Sequence, residues 1–278
     1  MIPATAADQP AIAAFLEAHL PAAFYPLTNL VQFGIGNIDR AMRFWLWWDG
    51  DRLTDVLGMS AGGFLYPVFT TDVTTQAAAL LVGAQITGMA GPPDQIIPLR
   101  RALAIGARPR LDFTEPVYHL SLDRLAMPDT GDLALCPLDA APADVLTSWR
   151  ALFLMETQAN LAEVAVHRAI HDMAEIRRRK TYRVLVDGGR PVAMTGFNAA
   201  FARVVQVGGV FVPPNLRSRG YGRAAVALHL QQAVATGVSD AYLSAATAPA
   251  ARAYEALGFV PYGHYTAVVY DEGQMIGG

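Results

Sequence analysis

One segment near the C-terminus constrains this chain more than any other. It runs from Val210 to Val226 and reads Val-Phe-Val-Pro-Pro-Asn-Leu-Arg-Ser-Arg-Gly-Tyr-Gly-Arg-Ala-Ala-Val. The pattern predicts an apolar strand, a short loop broken by proline, and the first turn of an alanine-rich helix. Such a junction favours anion binding, because the first N–H groups of a helix have no partner within it and the helix dipole is positive at that end.

The loop residues suit a diphosphate. Gly220 and Gly222 remove the side chains that would keep a phosphate from the amides, and Arg217, Arg219 and Arg223 add positive charge. Neither G-x-x-x-x-G-K-[ST] nor G-x-G-x-x-G occurs in the chain, so the two commonest nucleotide-phosphate motifs are excluded.

The spacing Arg217-x-x-Gly220-x-Gly222, preceded by Val210-x-Val212-Pro213, resembles the R/Q-x-x-G-x-G/A signature of the GNAT superfamily of N-acetyltransferases. In that family the loop holds the pyrophosphate of acetyl-CoA, and a backbone N–H of the preceding strand faces the thioester carbonyl. A bulge that splays this strand from its neighbour would free its amides for the pantetheine arm. The resemblance implies that the acetyl-CoA contacts include Val210, Phe211, Val212, Arg217, Ser218, Arg219, Gly220, Tyr221, Gly222 and Arg223.

A second motif follows between Thr247 and Phe259 and resembles the family pattern N-x-x-A-x-x-x-Y-x-x-x-G-F. Ala250, Tyr254 and Gly258 match it, while Thr247 stands at the Asn position. The resemblance implies that Tyr254 is the general acid that protonates the departing CoA thiolate, and that the Thr247 hydroxyl contacts the cofactor arm. The alternative for Tyr254 is a core residue that packs its helix onto the sheet.

The resemblance implies direct transfer of an acetyl group from acetyl-CoA to a primary amine of a small molecule or to an exposed amino group, including that of a peptide. The general base stays open among Glu156, His171 and Asp172, with Glu156 the candidate we retain, and Asn198 is a candidate for the acceptor site. The alternative function is a non-catalytic CoA sensor or scaffold of the same fold. No metal is implied.

The two halves of the chain resemble each other. Asp49-Gly-Asp-Arg52 and Asp187-Gly-Gly-Arg190 each lie between apolar segments, about half the chain apart. We therefore expect an α/β (mixed α+β) fold made of two tandem GNAT-like domains, each with a central mixed sheet flanked by helices. Residues 1–128 would form a degenerate copy without the pyrophosphate loop, and residues 129–278 the acetyl-CoA-binding catalytic domain.

The composition argues against several other kinds of protein. The chain has 278 residues, 53% of them hydrophobic, and a formal charge of −3, which argues against a general nucleic-acid binder. The single cysteine, Cys136, excludes an intrachain disulfide, and no apolar run approaches the ~20 residues that span a bilayer. The first residues lack a secretory signal pattern. We expect a cytoplasmic protein without membrane or nucleic-acid partners, with homodimerisation left open.

Overall fold

The computed structural model describes residues 1–36, 40–158 and 161–277. The chain divides into two compact units. The first unit is Met1–Glu115 together with Gly263–Gly278, and the second unit is Pro116–Tyr262. This division differs from the expected boundary at residue 128, because the end of the chain pairs with a strand of the first unit.

The first unit contains a mixed sheet with helices. Its elements are β1 (Ile2–Pro3), α1 (Gln9–Ala18), α2 (Phe24–Phe33), β2 (Met42–Asp49), β3 (Arg52–Ser60), β4 (Phe64–Phe69), α3 (Thr74–Leu80), β5 (Gln85–Gly91), α4 (Pro93–Ala102), the start of β6 (Leu111–Ser121) and most of β12 (Val260–Met275). The strand order is β1-β2-β3-β4-β5-β12-β6. Strands β4 and β5 are parallel, while β2, β3 and β4 form antiparallel pairs.

The second unit has a comparable sheet. Its elements are the end of β6, β7 (Ala134–Pro137), α5 (Ala143–Gln158), α6 (Ala162–Arg179), β8 (Tyr182–Asp187), β9 (Arg190–Phe201), β10 (Val204–Phe211), α7 (Tyr221–Val234), β11 (Asp240–Ser244), α8 (Ala248–Glu255) and the start of β12. The strand order is β6-β11-β10-β9-β8-β7. Strands β10 and β11 are parallel, while β8, β9 and β10 form antiparallel pairs.

The order of elements repeats along the chain, as the sequence predicts. A strand and two helices are followed by three antiparallel strands, a helix, a parallel strand, a helix and a last strand. The last strand of each repeat pairs with a strand of the other repeat. Residues 117–121 of β6 pair with β11, and residues 266–275 of β12 pair with β5. The structure thus confirms the mixed α/β fold, and the exchange explains why each unit is discontinuous in sequence.

The paired hairpins of the repeat form for a local reason. Two-residue turns join Asp49 to Arg52 and Asp187 to Arg190. Gly188 and Gly189 have φ angles of 52° and 78°, which is the conformation that a type I′ turn requires at both central positions. Glycine reaches these angles without steric cost, so the sequence directs the turn.

Hydrophobic cores cover both faces of the sheet in the second unit. On one face, α7 and α8 pack on the strands through residues such as Val205, Val226 and Leu243. On the other face, α5 and α6 pack through residues such as Trp149 and Met173. Alanines make up much of the buried side of α7, so this helix lies close to the sheet. Among the described residues, no helix combines the length and apolar character needed to cross a bilayer.

Candidate active site

The segment from β10 to α7 has the predicted strand–loop–helix form. Strand β10 ends at Phe211, a single 3-10 turn covers Pro214–Leu216, and α7 begins at Tyr221. Ser218 and Gly220 have φ angles of 63° and 83°. The left-handed conformation at Gly220 turns the chain into the helix, and a side chain there would be strained.

The N-terminus of α7 is open. Gly220 is its N-cap residue, and no side chain of the described residues caps it. A Cβ atom placed on Gly220 would meet nothing within 4 Å. The first-turn N–H groups therefore point into accessible space with the positive end of the helix dipole behind them. This geometry fits a bound anion such as a diphosphate.

Arg217 is held in place beside this loop. Its Nε donates a hydrogen bond to the Val212 carbonyl oxygen at 3.0 Å, and its Nη2 lies 2.8 and 2.7 Å from the two carboxylate oxygens of Glu156. Its guanidinium also lies 5.7 Å from the centre of the Phe211 ring, within cation–π range. The structure thus brings Arg217, Val212, Phe211 and Glu156 together.

The other polar side chains of the loop differ in whether they form hydrogen bonds within the protein. Arg219 donates a hydrogen bond to the Asn215 carbonyl oxygen at 3.4 Å, and Arg223 is exposed on α7. The Tyr221 hydroxyl donates to Asp187 at 2.5 Å, and this hydrogen bond to a carboxylate raises the pKa of Tyr221. Its side chain therefore faces β8, leaving its backbone amide as the group available to an anion.

The expected bulge is present in β10. The pairing of β10 with β9 shifts register between Gly208 and Phe211, and Gly209 has a φ angle of 60°. Within the described residues, the parallel pairing of β10 with β11 runs only as far as Gln206 and Tyr242. The two strands therefore diverge before the loop, so the amides at the end of β10 lack a strand partner on the β11 side.

Tyr182, which the sequence analysis did not single out, packs against this bulge. Its hydroxyl donates to Asn198 Oδ1 at 2.8 Å, and burial raises its pKa. A Cβ atom on Gly196 or Gly209 would collide with the Tyr182 ring, and one on Gly208 would collide with Asn198. The sequence feature that could have indicated this contact is the presence of glycines, Gly196 and Gly209, on the two strands that follow the strand of Tyr182.

Tyr254 lies on α8 within the core. It is 9% exposed and belongs to the same hydrophobic cluster as Val207. Val210 packs against this cluster. Burial raises the pKa of Tyr254 to about 12, so the hydroxyl keeps its proton at neutral pH. In the described part of the chain this hydroxyl forms no hydrogen bond, which leaves its proton available to a ligand.

Thr247 is the N-cap of α8. Its side-chain oxygen accepts a hydrogen bond from the Ala250 N–H at 3.3 Å. The family resemblance implies that this hydroxyl contacts the cofactor arm. The structure shows that its oxygen caps the helix, while the hydroxyl proton can still be donated.

The candidate bases differ in their surroundings. Glu156 is ion-paired with Arg217, and Asp172 accepts two hydrogen bonds from Arg150 at 2.8 and 2.6 Å. His171 is exposed on α6 and contacts the His167 ring edge-on at 4.9 Å. Both carboxylates are thus paired with arginines, and among the described residues His171 is the candidate that is not.

In the first unit, an internal carboxylate occupies the equivalent strand–helix junction. Fully buried Asp55 accepts hydrogen bonds from the Thr70 and Thr71 amides at 2.7 and 2.8 Å and from the Thr71 hydroxyl at 2.8 Å. Asp72 accepts a further bond from the Thr74 N–H at 3.3 Å. These carboxylates accept hydrogen bonds from amides that follow β4 and would repel a diphosphate at this position; the degenerate character of the first copy stays a prediction.

Residues 146–259, which run from α5 to the end of the Tyr254 motif, match the model of the acetyltransferase (GNAT) family. Acetyl transfer is the general activity of that family. By sequence, no curated protein matches the chain significantly.

Solved structures share the fold over nearly the whole chain. A tandem GNAT protein from the clavulanic acid biosynthesis pathway has a TM-score of 0.56 at 15% identity, covering 98% of this chain and 97% of its own. A GNAT-family acetyltransferase from Colwellia psychrerythraea has a TM-score of 0.54 at 13% identity, covering 99% and 100%. A GCN5-related N-acetyltransferase from Sphaerobacter thermophilus has a TM-score of 0.52 at 16% identity, covering 100% and 96%. At these identities the likeness is one of fold.

Proposed function

We propose that the protein is an N-acetyltransferase that transfers the acetyl group of acetyl-CoA to a primary amine, because residues 146–259 match the GNAT acetyltransferase family model. The amine belongs to a small molecule or to an exposed amino group, including that of a peptide. The observation that carries the proposal is the uncapped N-terminus of α7, at which Gly220 and Gly222 lie and which Arg217 precedes.

The residues present fit this donor. The amides of residues 218–223 and the guanidinium of Arg217 would hold the diphosphate, with Arg219 and Arg223 adding charge. The amides of residues 210–212 would hold the pantetheine arm and the thioester carbonyl, since the strand beside them diverges. When bound, acetyl-CoA supplies the activated acyl group.

We assign Tyr254 the role of holding the proton that the CoA sulfur receives. Its buried hydroxyl is protonated throughout the neutral range, and it packs in one cluster with the strand that carries these amides. We assign Glu156 the role of balancing the charge of Arg217 and not that of the general base, because its two carboxylate oxygens already accept hydrogen bonds from that side chain. The amine would then lose its proton to solvent or to a group of the acceptor itself.

One observation favours a second candidate function, a CoA-binding sensor or scaffold without turnover. Glu156 and Asp172, the carboxylates considered as bases, are both paired with arginines. A protein of this kind would bind acetyl-CoA with the same loop but would not consume it. The cytoplasmic location and the homodimer stay predictions.

Calorimetric titration with acetyl-CoA tests donor binding. We expect micromolar binding by the wild type, loss of binding in the Arg217→Ala, Gly220→Glu double variant, and no change in Arg190→Ala, which alters an exposed arginine of the β8–β9 turn. Release of CoA thiol with a panel of primary amines then separates the two functions. Turnover with any amine supports the enzyme, binding without turnover supports the sensor, and absence of binding contradicts both.

A further inference from the structure

The first unit contains a cavity of about 500 Å³ that the acetyl-transfer chemistry does not use. It lies where the β3–β4 turn, the end of α3 and the start of β5 meet, and its walls include Arg43, Trp45, Met59, Leu80 and Leu81. Its volume falls in the range of small-molecule sites. The cavity is at the opposite end of α3 from the junction that Asp55 closes, so it is not a remnant of a cofactor loop.

Arg43 is the charged side chain of this cavity. One of its terminal nitrogens, Nη2, lies 3.7 Å from the Met59 sulfur, and the guanidinium lies 5.5 Å from the centre of the Trp45 ring. Across the described ranges, no carboxylate forms an ion pair with Arg43, and its buried Nε has no hydrogen-bond partner. By contrast, Arg100, Arg110 and Arg150 all pair with aspartates.

A partly buried guanidinium without a counter-charge is costly, because burial removes hydration that no anion replaces. The cost is recovered when a ligand supplies the missing acceptor. Arg43 is the only charged side chain among the described residues that line the cavity, so this described lining carries one positive charge and no carboxylate. We propose that this cavity binds a small organic carboxylate whose charged group pairs with Arg43.

The surroundings of Arg43 select the type of anion. A planar guanidinium matches a carboxylate through two parallel hydrogen bonds, and the partly or fully exposed side chains of Trp45, Leu80 and Val82 provide apolar surface for the body of the ligand. A phosphate dianion is disfavoured, because the described lining holds one cation and the cavity is near the C-terminal end of α3, where helix carbonyls give negative potential. The ligand is therefore a monoanion with a hydrocarbon or aromatic portion.

Benzoate is a suitable probe, and inorganic phosphate is the competing one. We expect saturable binding of benzoate to the full chain with a dissociation constant below about 10 mM, observed by ligand-detected NMR. Arg43→Met should weaken it at least about tenfold, and Arg43→Lys, which keeps the charge but not the two-pronged geometry, should weaken it less. Arg52→Met, at an exposed position on the next strand, should leave it unchanged.

Several results would overturn the proposal. These are no saturation by benzoate, equal binding by the wild type and Arg43→Met, or tighter binding of phosphate than of benzoate. Acetyl-CoA titration of each variant reports on the second unit alone, and circular dichroism establishes that the variant is folded. If Arg43→Met does not fold, Arg43→Lys is compared with the wild type instead. Weaker benzoate binding by Arg43→Lys then supports the proposal, and equal binding overturns it.

Discussion

Arg217 and Glu156 are joined by one guanidinium nitrogen that lies 2.8 and 2.7 Å from the two carboxylate oxygens. The pair connects the loop before α7 to the end of α5, across 61 positions of sequence. Both side chains are partly exposed, at 44% and 42%. The interaction is therefore weak enough for a diphosphate to replace it.

Glu156→Gln should strengthen acetyl-CoA binding by about 1.4- to fivefold, because an exposed ion pair of about 0.2–1 kcal/mol no longer competes for Arg217. Turnover at saturation should stay within a few-fold of the wild type. Calorimetry and steady-state rates check the two expectations, with Glu163→Gln on the exposed face of α6 as the matched control. A fall in turnover of about 10²-fold or more would instead make Glu156 the general base.

Tyr254→Phe should lower turnover by about 10²-fold or more while the dissociation constant of acetyl-CoA stays nearly constant, since only the proton donor is removed. Because burial raises the pKa of Tyr254 to about 12, wild-type activity should not decline through its ionisation between neutral pH and pH 10. Tyr262→Phe, on a side chain that is 56% exposed, is the control. Equal rates in the wild type and Tyr254→Phe would remove Tyr254 from the mechanism.

His229→Phe should make the protein more resistant to acid. His229 is buried, stacks on Phe197 at 3.8 Å, and has its pKa lowered from 6.5 to about 3, mainly by burial. The unfolded chain takes up a proton at this side chain at a higher pH than the folded protein does. Stability from this site is therefore complete above about pH 6.5 and is lost as the pH falls toward 3.

The acid-unfolding midpoint, followed by circular dichroism, should move to lower pH in His229→Phe. The control is His264→Phe, at an exposed position. If both variants unfold at the wild-type pH, then the burial of neutral His229 does not contribute to acid sensitivity.

Asp55→Ala should reduce the free energy of unfolding of the first unit by about 3 kcal/mol. The substitution removes an acceptor from two amides and one hydroxyl, and a hydrogen bond to a charged group contributes about 1.5–3 kcal/mol net, so about 3 kcal/mol is a lower estimate for the three bonds. Denaturant unfolding measures the change, with exposed Asp51→Ala expected to stay within about 0.5 kcal/mol of the wild type. A similarly small effect of Asp55→Ala would show that the junction is held by other contacts.

The loop before α7 could be predicted because its conformation is encoded locally. Gly220 permits a φ angle of 83° at the N-cap, and the prolines before it end the strand. The same reasoning predicts the two-residue turn at Gly188 and Gly189. The roles of Tyr254 and of the loop residues in catalysis stay predictions, since the structure shows their positions and not their chemistry.

The boundary between the units could not be predicted in the same way. Residues 117–121 and residues 266–270 are both largely apolar strand patterns, and nothing in either pattern specifies which sheet it joins. Strand pairing over such separations depends on cross-strand packing, which a linear pattern does not contain. The exchange of the two last strands therefore emerged only from the structure.

The sequence by itself determined the order of helices and strands, the turns, the open helix N-terminus and the family resemblance, because these depend on backbone preferences within a few residues. The tertiary structure decided the partners of the charged groups: Glu156 for Arg217, the Thr70 and Thr71 amides for Asp55, and no carboxylate among the described residues for Arg43. Such partners come from distant parts of the chain, so their energy depends on burial and geometry that exist only once the sheets have formed.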